Sequence, residues 1–298
     1  MDLRQLKYFL TVVEECGFIN ASIKLNVAQP SISRSVKMLE EELQVALLFR
    51  TSREVSLTYA GEELARRAKL ILNEVERTKS EILAIGAGKK GRLIFGTAIS
   101  ASIPSIIKCV AKTAEKYPNL DINICEDVVE NLWGGLFDGS IDMAVTTLFS
   151  AEEKGLASIA LYDVHVLAVS HISHPIANHG GSLENLADYK WAVLDAEGIP
   201  KNISTYFNRA GISPPEHPVR VSTRSALITL LKTGKYLAIV PDVWVREELK
   251  KGEIIPLSKP FFDLTVRVGL VYRKDFVMNE PAKDLIETIC SLKEIDFQ

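Results

Sequence analysis

The sequence predicts an α/β protein that begins with a small all-α domain. Three amphipathic helices follow one another within residues 1–43, a long helix with a heptad pattern comes next, and beyond residue 92 strand-like runs alternate with helical ones. The length of 298 residues indicates two or three domains. Because charged residues interrupt the N-terminal apolar stretch and no long apolar run follows, we expect a soluble, cytoplasmic protein without membrane segments.

The third predicted helix, residues 29–43, presents two different faces. Apolar residues recur at steps of three and four and form a stripe for burial: Ile32, Val36, Leu39 and Leu43. Hydroxyl, amide and basic side chains occupy another face, and Pro30 lies where its missing N–H is tolerated. The acidic run 40–42 is confined to the far end, which phosphate would repel. The short turns between the three helices indicate a helix-turn-helix arrangement.

The segment that follows predicts a small hairpin and then a long helix. Leu47, Leu48 and Phe49 are expected to pack on the preceding helices, residues 50–56 form a basic hairpin, and Thr58 caps the next helix. In that helix, apolar residues alternate at steps of three and four, which is typical of a seam between paired helices; the predicted dimerisation residues are Leu64, Ala68, Ile71, Val75 and Ile82. Docking of this seam on the protein's own core is the alternative.

A glycine-rich, basic segment at residues 87–91 is predicted to be a hinge. After it, the alternation of strands and helices predicts a mainly parallel sheet, and two sets of such units favour two Rossmann-like α/β lobes over one large sheet. In open α/β folds, ligands lie at the carboxyl ends of strands, close to helix N-termini. The first candidate position is therefore 97–102, between a strand and the helix that Pro104 begins.

Several strings together resemble one known family. "QPSIS", "LEEEL", "LFRT" and "LTYAG" in the first 61 residues, and "YPNLDINI", "LFDGSIDMAV", "HPIA" and "LAIVP" later, are similar to the LysR-type transcriptional regulators. The chain departs from the family pattern at Gln44, which is usually glycine, and in "KTGKYLAIVP", which lacks a second glycine. The resemblance implies a winged helix-turn-helix followed by an effector-binding region of the type-2 periplasmic-binding-protein fold.

The expected domains combine this resemblance with the patterns above. They are a DNA-binding domain at 1–58, a dimerisation helix at 59–86, the hinge at 87–91, a first lobe at 92–163 with 267–298, and a second lobe at 164–266.

The resemblance also implies which residues contact double-stranded DNA. In the third helix these are Gln29, Pro30, Ser31, Ser33, Arg34 and Lys37, and in the wing Arg50, Thr51, Ser52 and Arg53. The residue types suit the task, because Gln can pair with adenine and Arg with guanine, while Ser and Lys suit phosphate oxygens. A solvated helix face is the alternative for any one of them. The net charge of −3 argues against nonspecific coating of nucleic acid but not against a small DNA-reading module.

Matching family positions imply an effector pocket between the two lobes. The expected pocket residues are Thr97, Ser100, Ala101, Ser102, Val129, Glu130, Thr146, Thr147, Ala196, Glu197, Gly198, Ile199, Pro200, Ser222 and Thr223. Hydroxyls together with helix N–H groups suit a carboxylate or another small anion, although the same residues also cap helices for structural reasons. Acidic residues facing the cleft would instead favour a hydroxyl-rich or amine-bearing ligand.

These features predict a DNA-binding regulator that forms a homodimer or homotetramer and responds to a small molecule, with RNA polymerase as a further candidate partner. A solute-binding protein and a ligand-independent repressor are the alternatives. The five histidines accompany no nucleophile motif or metal-ligand spacing, so no enzyme activity, catalytic residue, metal or cofactor is expected. The four cysteines are predicted to be free and mostly buried; a redox switch made of Cys109 and Cys125 is the less favoured hypothesis.

Overall fold

The structure is a computed structural model that describes residues 1–50, 55–86, 91–101, 103–148, 155–178, 186, 188–194, 207–208, 213–257 and 264–292. It divides the chain into two compact units. The first comprises Met1–Arg92 and Gly134–Ile141, and the second comprises Leu93–Trp133 and Asp142–Gln298. Among the described residues, no helix is both long and apolar enough to span a membrane.

The first unit contains four helices and one hairpin within its described residues up to position 92. Their bounds are α1 (Leu3–Glu14), α2 (Phe18–Leu25), α3 (Gln29–Leu43), β1 (Leu48–Arg50), β2 (Val55–Leu57) and α4 (Tyr59–Gly86). At the start of α1, Asp2 Oδ1 accepts a hydrogen bond from Gln5 N at 2.8 Å, and Gln5 Oε1 accepts one from Asp2 N at 2.8 Å. This reciprocal capping box satisfies two backbone donors at the start of the helix.

The core of this unit lies where α1, α3 and the first turns of α4 meet. Its fully buried members include Phe9, Ala21, Ile32, Val36, Leu39 and Ala68. Leu43, predicted to continue the α3 stripe, is instead 38% exposed. The buried stripe stops at Leu39, one turn before α3 ends at Leu43, and Leu47 and Leu48 beyond the helix join the same core.

Glu40 has a structural task that its place in an acidic run did not reveal. Its Oε1 accepts hydrogen bonds from Leu47 N at 2.9 Å and Leu48 N at 3.2 Å. The carboxylate therefore ties the start of β1 to the end of α3. Its neighbours in the run pair elsewhere: Glu41 lies 3.5 Å from Lys37 Nζ, and Glu42 pairs with the N-terminal ammonium group.

The second unit carries most of the strands. The bounds of its elements, together with those that cross the division, are β3 (Arg92–Ala98), α5 (Pro104–Lys116), β4 (Asp121–Asp127), α6 (Val129–Asp138), β5 (Met143–Thr147), β6 (Leu156–His171), β7 (Ala192–Leu194), β8 (Val219–Val221), α7 (Arg224–Lys232), β9 (Leu237–Pro241), α8 (Arg246–Lys251), β10 (Ile254–Pro256), β11 (Leu264–Arg273) and α9 (Glu280–Cys290), with short 3₁₀ turns at Pro175–Asn178 and Asp242–Trp244.

The main sheet has the order β10-β6-β11-β5-β3-β4, with β9 also paired to β6. β3 and β5 are parallel, whereas β11 runs antiparallel to both β5 and β6, and β9 and β10 run antiparallel to β6. The expectation of a mainly parallel sheet was therefore wrong. The antiparallel ladders arise because β11 lies between β5 and β6 and runs opposite to both, and because β9 and β10 run opposite to β6.

β6 belongs to two groups of strands. Its first part, up to Val166, pairs with β11, and its last part, from Val166 to His171, pairs with β9 and β10. We call the side with β3, β4, β5 and α5 the first lobe, and the side with β7 to β10, α7 and α8 the second lobe. In the second lobe, the Trp191 indole N–H donates to Leu186 O at 2.8 Å, and its ring meets Phe207 edge-on at 5.3 Å.

His174 is buried at the start of the first 3₁₀ turn, and its protonation opposes folding. Its Nδ1 accepts a hydrogen bond from Ile176 N at 3.2 Å, and its ring contacts Tyr189 edge-on at 5.1 Å. Burial lowers the pKa of His174 below its ordinary value. The unfolded chain therefore binds a proton more readily than the folded protein does.

We expect the free energy of unfolding to fall as the pH drops from 7 through the unfolded histidine pKa of about 6.5 toward 5. Chemical denaturation at each pH, compared with that of His174→Asn, measures this contribution, because Asn keeps an acceptor but does not titrate. The variant should show a shallower dependence on pH. His217→Asn, at an exposed site, is the control and should leave the dependence unchanged; equal slopes for wild type and His174→Asn would contradict the assignment.

A second prediction concerns Gln44, which ends α3 in the left-handed conformation with φ of 53°. That conformation costs an L-residue about 1–2 kcal/mol, which glycine avoids while losing part of the gain through its freer unfolded state. Gln44→Gly should raise the free energy of unfolding by about 0.5–1 kcal/mol in urea titrations. Ser80→Gly, at an exposed position inside α4, should lower it by about 0.5 kcal/mol. A loss of stability in both variants would show that Gln44 is not strained.

Candidate functional site

The exposed face of α3 is a row of polar and basic side chains held on a buried stripe. Ile32, Val36 and Leu39 are fully buried, and this fixes the helix on its own domain. The six α3 residues predicted to contact DNA lie on the remaining surface. Five of them are exposed and Ser33 is half-buried: Gln29, Pro30, Ser31, Ser33, Arg34 and Lys37.

Arg34 is the best-placed group on this face to bind a base edge or a phosphate. It is exposed, and within the described part of the chain no hydrogen bond or ion pair engages its guanidinium. Lys37 differs, because its ammonium lies 3.5 Å from Glu41 Oε1. Both of these side chains are exposed, so the pair is weak and opens readily toward another anion.

The predicted wing begins as an antiparallel hairpin in which β1 and β2 pair. Arg50 is the last residue of β1, while Thr51, Ser52 and Arg53 lie outside the described residues. Phe49 was expected to pack on the helices but is 59% exposed, which corrects that expectation. It alternates with the buried Leu48 along the strand, so its side chain leaves from the opposite face.

The start of α4 is locked to this hairpin. Thr58 Oγ1 accepts a hydrogen bond from Gly61 N at 3.0 Å, as expected of a capping residue, and donates one to Ala46 O at 2.7 Å. A Cβ on Gly61 would lie 2.1 Å from Leu47 O. Only glycine allows so close an approach between the helix and the backbone before β1.

The predicted seam of α4 divides into two parts. Ala68 is fully buried in the core of its own unit and Leu64 packs against that core, so Ala68 has no surface to offer a partner and leaves the predicted set. Docking of the seam on the protein's own core, the alternative to pairing, is therefore found for the first turns of α4 only. Farther along, Ile71, Val75 and Ile82 are 37%, 38% and 64% exposed. These three form an apolar row on the outside of the helix.

The predicted effector residues of the first lobe lie at strand ends, but not all on one face of the sheet. Thr97 pairs in register with Val145 of the parallel strand β5, so Thr97 and Thr147 point to one face and Thr146 to the other. Thr97 is 1% exposed and Thr146 is fully buried. Neither hydroxyl has a hydrogen-bond partner within the described structure. A ligand contacting Thr97 would therefore not reach Thr146 on the same face.

Other expected pocket residues vary in accessibility. Ser100 and Val129 are half-buried, whereas Ala101 is buried. Glu130 and Ser222 are exposed, as is Thr223, whose Oγ1 caps α7 by accepting a hydrogen bond from Ala226 N at 3.3 Å. Six expected residues lie outside the described residues: Ser102, Ala196, Glu197, Gly198, Ile199 and Pro200.

Two residues that the sequence did not single out, Trp244 and Tyr162, contact the turn after β3, and a third, Arg224, contacts Trp244. The Trp244 indole N–H donates to Ile99 O at 2.9 Å, and Arg224 Nη2 donates to Trp244 O at 2.9 Å. The Tyr162 hydroxyl donates to Ala101 O, and burial raises the pKa of this phenol. These residues lie far apart along the chain, so no periodic pattern in the sequence indicates that they meet. The position of Arg224 directly after the helix cap Thr223 is a local feature that could have drawn attention to it.

Glu126 and Arg224 are exposed residues, although neighbouring atoms shield part of each charged group from water. Burial raises the pKa of the Glu126 carboxyl, and the nearby Arg224 guanidinium opposes that rise. Burial also lowers the pKa of Arg224, although a guanidinium remains charged throughout the physiological range. No ion pair joins Glu126 and Arg224 in the described structure, so each can still interact with a bound molecule.

The thiols do not match the prediction in full. All four are free, but only Cys109 is buried, while Cys125 is half-buried and both Cys16 and Cys290 are exposed. Burial raises the pKa of the half-buried Cys125, which disfavours its reactive thiolate form. Among the residues that the structure describes, no three His, Cys, Asp or Glu side chains are grouped to hold a metal ion.

Known proteins similar to this chain fall into one group. This chain is 30% identical to the HTH-type transcriptional regulator CrgA of Neisseria meningitidis, across 92% of this chain and 91% of that protein. It is 28% identical to the DNA-binding transcriptional dual regulator OxyR of Escherichia coli, across 97% and 95% of the two chains. The crystal structure of CbnR, a LysR family transcriptional regulator, has a similar fold, with a TM-score of 0.60 at 22% identity and coverage of 97% and 98%.

Two family models cover almost the whole chain. The bacterial regulatory helix-turn-helix protein model of the lysR family matches residues 3–62, and the LysR substrate binding domain model matches residues 86–291. The family resemblance and the overall fold class predicted from the sequence are thereby confirmed. The relatives are regulators and not enzymes. This chain belongs to the LysR family of DNA-binding transcriptional regulators.

Proposed function

We propose that the protein is a cytoplasmic one-component regulator that reads a specific promoter site through α3 and adjusts its binding to the concentration of a small effector. The observation that carries this proposal is the exposed face of α3, on which Arg34 has no partner within the described structure. A DNA-reading helix needs polar side chains that are accessible and not already engaged by their own protein.

The α3 residues take different roles in this proposal. Gln29 and Arg34 have the donor and acceptor patterns that suit base edges in the major groove, whereas Ser31, Ser33 and Lys37 suit phosphate oxygens. Pro30 sets the first turn of the helix. Arg50, Thr51, Ser52 and Arg53 are proposed to contact the backbone through the wing.

Dimerisation is proposed to use Ile71, Val75 and Ile82 on α4. Leu64 packs against the core of its own unit and so helps to hold the start of α4 in place. The exposed apolar row would be buried by pairing with a second copy of the same helix, which presents an equivalent row. Two recognition helices could then read half-sites about 34 Å apart on a partly palindromic site. Pairing of two such dimers into a tetramer and contact with RNA polymerase complete the proposed assembly.

The effector is proposed to bind between the lobes, near Thr97, Ser100 and Thr147, with the hinge at 87–91 leading to the DNA-binding domain. The unpartnered, buried Thr97 hydroxyl supports this location, because a buried polar group without a partner is rare. The relative LysG of Corynebacterium glutamicum is described with bound effector Arg, and OxyR relatives as hydrogen peroxide-inducible activators. For this chain the proposed effector is a bound small molecule, and the raised pKa of Cys125 disfavours its reactive thiolate form.

A substitution on α3 tests the DNA-reading assignment. Arg34→Ala should weaken binding to the promoter of the protein's own gene by about 1–3 kcal/mol, since a base contact is lost, and should leave folding unchanged because the side chain is exposed. Gel-shift titration at fixed salt measures the change. Arg4→Ala removes an equally exposed arginine from α1 and is the matched control. An undiminished footprint with Arg34→Ala would refute the assignment.

A substitution on α4 tests the dimer. Ile71→Asp places a charge in the exposed apolar row, where pairing would desolvate it, so it should dissociate the dimer and weaken operator binding. Sedimentation velocity and a gel-shift titration measure the two effects. Ser80→Asp adds the same charge at an exposed position away from the row and should change neither. Dimers of Ile71→Asp as stable as wild type would exclude this row as the interface.

A further inference from the structure

Arg224 and Trp244 form a unit that faces the proposed effector position from the second lobe. Arg224 begins α7. Its guanidinium donates to Trp244 O at 2.9 Å and lies 5.9 Å from the centre of the Trp244 ring. The carbonyl and the aromatic face hold the guanidinium from two sides and leave its other N–H groups available. Since Trp244 is only 5% exposed, it provides a fixed wall for Arg224.

The same indole holds the β3–α5 turn of the first lobe. Its N–H donates to Ile99 O, and Ile99 N donates to Asp127 O at 3.1 Å, directly after Glu126. Two residues farther along, Ala101 O accepts the Tyr162 hydroxyl. A change in the position of Arg224 therefore reaches this turn through a single residue, Trp244.

A buried polar group beside this turn is able to take a hydrogen-bond partner from outside the protein. The Thr97 hydroxyl is buried and unpartnered, and it shares its sheet face with Tyr162, whose ring reaches the turn. Among the described residues, α5 begins after Ile103 without a side-chain cap, and Pro104 in its first turn has no N–H. A carboxylate oxygen is an acceptor only and would suit the Thr97 hydroxyl as well as a guanidinium.

The Glu126 carboxylate limits how much negative charge this place accepts. It lies close enough to Arg224 for each to influence the other electrostatically, without forming an ion pair in the described structure. Arg224 therefore presents a single positive charge to a ligand, and the Glu126 carboxylate already balances part of that charge. A second negative charge on the ligand would be repelled by the nearby Glu126 carboxylate.

We propose that Arg224 binds the carboxylate of a small monocarboxylate effector between the lobes, and that Trp244 positions Arg224 and links it to the Ile99 turn. This rests on the proposed function, because it specifies the ligand class and the first step of the response at the same cleft. Arg224 is the ligand-binding residue, and Glu126 selects against dianions.

Thermal-shift titrations of the full-length protein test the ligand class. The probes are acetate, lactate and benzoate as monocarboxylates, succinate as a dicarboxylate, and sulfate. At least one monocarboxylate should give a saturable rise in melting temperature, and succinate and sulfate should give none at the same concentration and ionic strength. If no monocarboxylate raises the melting temperature, or if succinate or sulfate binds as tightly, the proposal is overturned.

Variants then test the residues. Arg224→Gln should weaken binding of the active monocarboxylate at least tenfold, Arg224→Lys should retain part of it, and Glu126→Gln should admit succinate. Arg220→Gln, an exposed arginine on β8, is the matched control and should bind as wild type does. Unchanged binding by Arg224→Gln would overturn the proposal even if the wild type responds to monocarboxylates.

Trp244→Phe separates binding from transmission. Phe keeps an aromatic face and the backbone carbonyl that holds Arg224, but it removes the N–H that reaches Ile99. The variant should keep the ligand-induced melting shift and lose most of the ligand-induced change in affinity for DNA selected by the wild type from a random pool. An unchanged DNA response would overturn the role of Trp244. Failure of the wild type to select any DNA would instead refute the proposed regulatory function, irrespective of the ligand.

Discussion

The antiparallel pairing of β6 with β11 is the constraint on which the effector-binding unit depends. β6 continues without interruption from its pairing with β11 into its pairing with β9 and β10, so one strand contributes to the sheets of both lobes. The ladder contains one irregularity, at Val268/Gly269, where a Cβ on Gly269 would lie 2.5 Å from Ile159 O. The lobes therefore remain connected through backbone hydrogen bonds, and Tyr162 on this shared strand contacts the turn that follows β3.

Features written into local periodicity could be predicted from the sequence. The two faces of α3 follow from apolar steps of three and four, and Thr58 was identified as a cap from its residue type and position. Strand direction could not be predicted in the same way, because the side-chain pattern of a strand is nearly the same in parallel and antiparallel pairing.

Side-chain partners across long sequence separations were the least predictable part of the candidate site. Trp244 and Ile99 are brought together only by the complete fold, and no pattern near either residue indicates the other. Ala68 fits a heptad as well as Ile71 does, but the first turns of α4 lie on the core and the later ones do not. A periodic pattern identifies which face of a helix is apolar, whereas only the surrounding structure determines what covers that face.

The close approach of Gly61 to Leu47 O has a mechanical consequence for a regulator of this kind. With backbone against backbone and the Thr58 hydroxyl bonded on both sides, the first turn of α4 and the start of the hairpin cannot slide past each other. Glu40 fastens the same hairpin to α3. The long helix is thus rigidly attached to the helix-turn-helix domain, and in the proposed dimer a small rotation of one α4 against the other would displace that whole domain.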